Sequence, residues 1–171
     1  MKYRLTEETI QIGGHILHRI ECVTAFAHVK VGDKGGWIES EANLSQYGST
    51  WVYGDARVYD DAKVYGNAWV CGDAKVYGNA KVCDSAEVYG NAEVCGDAKV
   101  CDNADYIVFK NWWSSGRYYT WTRSNNKWRV GCFYGTGEEL IAKAYKDSEV
   151  SGREYQRVVD YVNSILQEGK I

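Results

Sequence analysis

Between Trp51 and Asp105 the chain repeats itself every six residues, a period that few folds can satisfy. Valine stands at positions 52, 58, 64, 70, 76, 82, 88, 94 and 100. Alanine stands two places earlier at 56, 62, 68, 74, 80, 86, 92 and 98, and again at 104. The unit reads Ala-x-Val-(Tyr/Cys)-(Gly/Asp)-(Asp/Asn/Ser). In extended backbone, residues two apart point to one side, so the alanine and valine share a face. Gly-Asp and Gly-Asn pairs form turns, because glycine tolerates positive φ and the Asx side chain bonds its own backbone. A short strand followed by a turn every six residues must coil, with small side chains filling a narrow interior. An α-helix is excluded, since a six-residue spacing drifts around its surface and buries no continuous stripe.

This pattern resembles the hexapeptide-repeat proteins. That resemblance implies a left-handed parallel β-helix with three short faces per coil. It covers residues 51–105, with Ile38 and Leu44 as an earlier, degenerate coil. Leu44 and Val52 are eight positions apart, not six, which predicts a two-residue bulge around Ser45–Ser49. Three hexads per coil would stack positions 18 apart, sorting the outward side chains into columns. One column carries Trp51, Trp69 and Glu87, a second Arg57, Lys75 and Glu93, and a third Lys63, Lys81 and Lys99. The family includes acyltransferases, carbonic anhydrases and purely structural members, so the likeness speaks to fold and not to function.

On either side of the repeat the pattern changes. Thr9–Ile12, Gly13-Gly14 and His15–Val23 read as a β-hairpin. It is followed by the loop Gly32-Asp33-Lys34-Gly35-Gly36, and this segment is expected to cap the exposed first coil. After Asp105, Tyr106–Phe109 reads as a strand and Lys110–Gly116 as a loop. Arg117–Arg123 and Lys127–Tyr134 read as a hairpin about Ser124-Asn125-Asn126. Thr136-x-x-Glu139 and Ser151-x-x-Glu154 are capping-box patterns for two helices. In the second helix Tyr155, Val158, Val159, Val162, Ile165 and Leu166 form one apolar face. The expected fold is therefore mainly β. An N-terminal hairpin cap spans 1–37, a hexapeptide-repeat solenoid 38–105, and a small C-terminal α+β (ββαα) domain 106–171, placed to cap the far end.

The formal net charge is −3, but its distribution is uneven. Residues 51–105 carry 5 basic and 10 acidic side chains, whereas residues 106–171 carry 10 basic and 7 acidic. Local field, more than the total, decides what each surface attracts. The N-terminus has no apolar run or small-residue cleavage site, and no stretch approaches a membrane span. A cytoplasmic protein with reduced thiols is the expectation for its six cysteines.

Chemistry is hard to place on the repeat. Family acyltransferases use a histidine base on an extruded loop, and family hydratases use three histidine ligands. Here His15, His18 and His28 all precede the hexads. Cys83 and Cys101 stack on one face and read as fillers of an apolar stripe, and the Asp/Asn ladder reads as turn chemistry, not a calcium site. No phosphate-binding glycine motif is present, because Gly135-Thr136-Gly137 is too short and lacks a lysine. No catalytic residue, metal ligand or cofactor is assigned.

The binding expectation falls on the C-terminal hairpin. Arg117, Tyr119, Trp121 and Arg123 alternate on one strand, and Lys127 and Arg129 on the next, while Tyr118, Trp128, Val130 and Cys132 are expected to bury against the helices. If the basic sets share a side, they present cations and rings suited to RNA, DNA or an acidic protein surface. Trp51, Trp69, Lys63, Lys81 and Lys99 form a secondary face on the solenoid. The Lys-Tyr-Arg-Leu-Thr opening, Gly-Gly-Trp-Ile-Glu, and Val-Gly-Cys-Phe-Tyr-Gly-Thr-Gly-Glu-Glu-Leu together resemble uncharacterised hexapeptide-repeat proteins of phages and prophages of gut bacteria. The expectation is thus a non-catalytic protein that engages a host protein or nucleoprotein, for example as an inhibitor of an RNA-guided nuclease. Two alternatives stand beside it: an atypical acyltransferase acting as a trimer, and a self-assembling structural solenoid. The choice between monomer and trimer stays open.

Overall fold

A computed structural model describes residues 1–169, which divide into two compact units, Met1–Asn103 and a second that begins at Ala104.

The first unit opens with strand β1 (Tyr3–Ile12), antiparallel to β2 (His15–Cys22) across the Gly13-Gly14 turn. Strand β2 pairs antiparallel with β3 (Lys34–Ile38). Nine two-residue strands follow, each centred on a hexad valine: β4 (Trp51–Val52), β5 (Arg57–Val58), β6 (Lys63–Val64), β7 (Trp69–Val70), β8 (Lys75–Val76), β9 (Lys81–Val82), β10 (Glu87–Val88), β11 (Glu93–Val94) and β12 (Lys99–Val100). They pair in parallel with the strand three hexads on. The β4, β7 and β10 strands form one sheet and β6, β9 and β12 a second. The third sheet runs β1-β2-β3-β5-β8-β11, so the hairpin is continuous with one side of the solenoid. The result is a parallel-strand β-solenoid of about four turns.

Its register follows from the repeat. Val52, Val70 and Val88 pair in line, as do Val58, Val76 and Val94, and Val64, Val82 and Val100. The early coil is offset by the two extra residues read from the sequence. Ile38 pairs with Val58 and Leu44 with Val64, both 20 positions on and not 18. All nine hexad valines and the eight alanines from Ala56 to Ala98 are at most 1% exposed. Each buried valine contributes on the order of 1.5–3 kcal/mol. Backbone N–H groups donate from coil to coil, as in Arg57 to the Ala74 carbonyl and Lys63 to the Ala80 carbonyl, both at 2.9 Å. The turns pack as tightly as the strands: at Gly66 (φ 75) a Cβ would stand 2.9 Å from the Asp84 nitrogen, so the position needs glycine for both backbone and space.

The second unit is a four-stranded antiparallel meander followed by two helices. Its strands are β13 (Tyr106–Lys110), β14 (Tyr118–Thr122), β15 (Lys127–Val130) and β16 (Phe133–Gly135). The anticipated strand Lys127–Tyr134 is in fact two, because Gly131 adopts φ 56 and turns the chain. Helix α1 (Gly137–Asp147) carries the expected capping box, Thr136 Oγ1 accepting from the Glu139 N–H and the Glu139 carboxylate from the Thr136 N–H. Helix α2 (Glu149–Gln167) starts two residues earlier than Ser151. Its cap is Ser148, whose hydroxyl accepts from the Ser151 N–H and whose own N–H closes α1 on the Ala144 carbonyl. One residue thus ends one helix and starts the next. Tyr155, Val159 and Val162 are buried, with Val158 and Leu166 packed beside them.

Candidate functional site

The three outward columns of the solenoid differ in what covers them. Trp51, expected on the surface, is 1% exposed. The Tyr3 and Phe26 rings lie against it with centroids 6.1 and 5.5 Å away. Trp69 is half-buried under His28, at 4.7 Å, and donates from its indole to the Ser49 carbonyl. Both indoles therefore anchor the N-terminal segment, and their place on the secondary solenoid face is corrected: these large apolar rings are covered by segments that no local pattern places there.

The second column, Trp37, Arg57, Lys75 and Glu93, is of mixed character, and in it Arg57 Nε is buried without a hydrogen-bond partner. Arg19 lies over the Trp37 ring at 4.0 Å, and Lys75 meets Glu93 at 2.8 Å. Tyr59 and Tyr77 stack beside it at 5.0 Å with parallel planes.

The third column is of one sign. Lys63, Lys81 and Lys99 pair in register on consecutive coils, and all three are exposed. With Asp61, Asn79 and Asp97 they line a shallow groove. Coils about 4.8 Å apart hold these ammonium groups as near neighbours. Like charges directly opposite one another across a sheet are unfavourable, and the carboxylates of Asp61 and Asp97 lie in the same groove as the lysines. Beside it, Cys83 and Cys101 come together at a Cα–Cα distance of 4.5 Å with their sulfurs in contact, a closeness the register imposes.

The C-terminal hairpin does not assemble the face expected of it. Trp121 pairs with Trp128, Thr120 with Arg129 and Thr122 with Lys127. Directly opposed residues share a face, so Lys127 and Arg129 lie on the side away from Tyr119 and Trp121. Those two rings are 2% and 0% exposed and form the core with Trp128, Leu140, Ala144, Tyr155, Val159 and Val162. The Trp121 indole N–H donates to Asn126 Oδ1 at 2.8 Å, which satisfies its polar atom inside the unit. Arg117 and Arg123 lie just beyond the ends of β14 and are exposed, Arg123 standing 4.0 Å from Asp105. Conversely Tyr118 is 46% exposed, and Cys132, which falls in the Gly131 turn, is exposed as well. Burial of the four rings Tyr119, Trp121, Trp128 and Tyr155 outweighs the local alternation of cations.

The histidines gather a feature that local reading misses. His15 Nδ1 lies 3.0 Å from Glu39 Oε1, and its Nε2 lies 3.2 Å from Asp60 Oδ1. The hydrogen bond to Glu39, with the charges of Glu39 and Asp60, raises the His15 pKa above its ordinary value. Burial alone would raise the Glu39 carboxyl, but hydrogen bonds from His15 and the Asp60 amide outweigh it and hold it below the usual range. His18 Nδ1 lies 3.1 Å from the Thr6 carbonyl, and His28 Nε2 2.9 Å from the Tyr53 hydroxyl. The visible signal was Asp60 itself, an aspartate where most hexads place glycine, held at φ 57. Its partners stand 21 and 45 positions away, beyond the reach of spacing.

No protein-family model matches this chain, and no curated protein matches its sequence. No described helix is long and apolar enough to cross a membrane.

Proposed function

We propose that this chain is a non-catalytic binding protein whose solenoid presents the column Lys63, Lys81 and Lys99 to anionic groups on a protein or nucleoprotein partner. The observation that carries this reading is the in-register stacking of three exposed lysines, one per coil, on a scaffold packed too tightly to rearrange. A rigid, repeating surface loses little conformational freedom on binding, which favours recognition of an equally regular partner. The solenoid as a whole is acidic, so contact is confined to the column and not spread over a basic field.

The hexad pattern, with its expected left-handed coil, together with the flanking motifs, resembles the phage and prophage proteins named above. In that setting the partner is a host macromolecule, and inhibition of a defence complex such as an RNA-guided nuclease is the corresponding role. A pull-down from defence-competent bacterial lysate, with and without nuclease, compares wild type with K63E/K81E/K99E. The reading expects a partner retained by wild type and lost by the variant, whose fold is checked by circular dichroism. Loss on nuclease treatment assigns the contact to nucleic acid, and persistence to protein. An identical set of partners for a folded variant removes the column from the proposal.

A further inference from the structure

The geometry points to a second, separate site: His15, Glu39 and Asp60 form a binding site for a first-row divalent metal ion of the zinc, manganese or cobalt class. One donor atom from each residue lies within 4.8 Å of the others, and each side chain is about a third exposed, at 35%, 32% and 33%. The three come from separate segments: the start of β2, the residue after β3, and the turn after β5.

Both carboxylates are already oriented by bonds that leave one oxygen for the site. Glu39 Oε2 accepts the Asp60 N–H at 2.7 Å, leaving Oε1 toward His15. Asp60 Oδ2 accepts the Gly78 N–H at 3.0 Å, leaving Oδ1 toward His15. The Asp60 backbone is pinned as well, its carbonyl accepting from the buried Asn43 at 2.9 Å. Outer bonds of this kind fix ligand orientation in metal sites. With a neutral imidazole the three groups sum to two negative charges, which a divalent cation balances and a single proton does not. One nitrogen and two carboxylate donors suit zinc, manganese or cobalt, whereas calcium and magnesium prefer oxygen alone. His15 now meets the two carboxylates through different ring nitrogens, Nδ1 to Glu39 and Nε2 to Asp60, so binding an ion requires the ring to turn until one nitrogen faces it beside both oxygens, with water completing the shell. The bound ion ties the hairpin to the first coils.

Cobalt(II), zinc(II) and magnesium(II) are titrated into the full chain and into H15A, E39Q and D60G, followed by calorimetry and, for cobalt, by visible absorption. The D60G variant restores the glycine found at most of these turns, so it keeps the fold while removing a ligand. Wild type is expected to bind one cobalt or zinc ion per chain without thiolate bands, to ignore magnesium, and to gain thermal stability with the ion. Each variant is expected to weaken binding by at least about 100-fold. Failure of wild type to bind, equal affinity in a folded D60G, or thiolate-to-cobalt bands that place the ion on cysteine would each overturn the assignment.

Discussion

At the scale of single residues, burial and not residue type separates anchors from contacts. Trp121 and Arg123 stand two positions apart and share strand parity, yet one is a core ring and the other a surface cation. Trp121→Ala is expected to destabilise the C-terminal unit by about 3–5 kcal/mol, as loss of a buried ring does. Arg123→Ala should stay within about 0.5 kcal/mol, since its ion pair is long and half in water. Urea unfolding of the two variants measures the difference. Lys2 is the other unusual residue: its Nζ donates to the Thr50 carbonyl at 2.7 Å, and burial lowers its pKa from 10.5 to about 8. Above pH 8 the folded chain releases this proton while the unfolded chain still holds it. The unfolded state then binds more protons, so this residue makes stability rise with pH from about 8 toward 10. Tm measured across that window should rise less steeply in Lys2→Met than in wild type; parallel profiles would remove the burial argument.

At the scale of elements, the hexads were legible because every constraint on them is local and repeated. Alternation buries alanine and valine, the Gly-Asx pairs turn, and even the two extra residues before Val52 reappear as the 20-residue offset of Ile38 and Leu44. The C-terminal sheet was legible as strands but not as faces. The strand Tyr118–Thr122 has rings of both parities, and only the four-residue loop from Arg123 to Asn126 sets Trp121 opposite Trp128. The Gly131 turn then reverses the parity expected for Cys132. Helix α2 was legible by its apolar stripe, but its start was not, because Ser148 and Ser151 offer the same cap chemistry. Ser148→Ala should cost about 1 kcal/mol and Ser151→Ala much less, by thermal denaturation. Within the solenoid, Ala80→Leu forces a larger side chain into a filled interior. It should cost about 1–3 kcal/mol, where an exposed substitution at Asn79 would cost little.

At the scale of the whole molecule, two kinds of surface emerge from one repeat. Columns carrying rings or mixed charge are closed by the chain itself, through Phe26 and Tyr3 on Trp51 and through Glu93 on Lys75. The lysine column retains one sign from coil to coil, and the candidate function rests there. The histidine cluster was not legible, since it joins residues from a hairpin, a strand end and a turn. The arginines 117, 123 and 129 provide the natural control, being equally basic but divided between strand ends and the opposite sheet face. The most direct measurement is therefore partner capture by two folded charge-reversal variants side by side, K63E/K81E/K99E and R117E/R123E/R129E. The first variant is expected to lose the partner and the second to keep it; capture retained by the first and lost by the second would overturn the role of the lysine column.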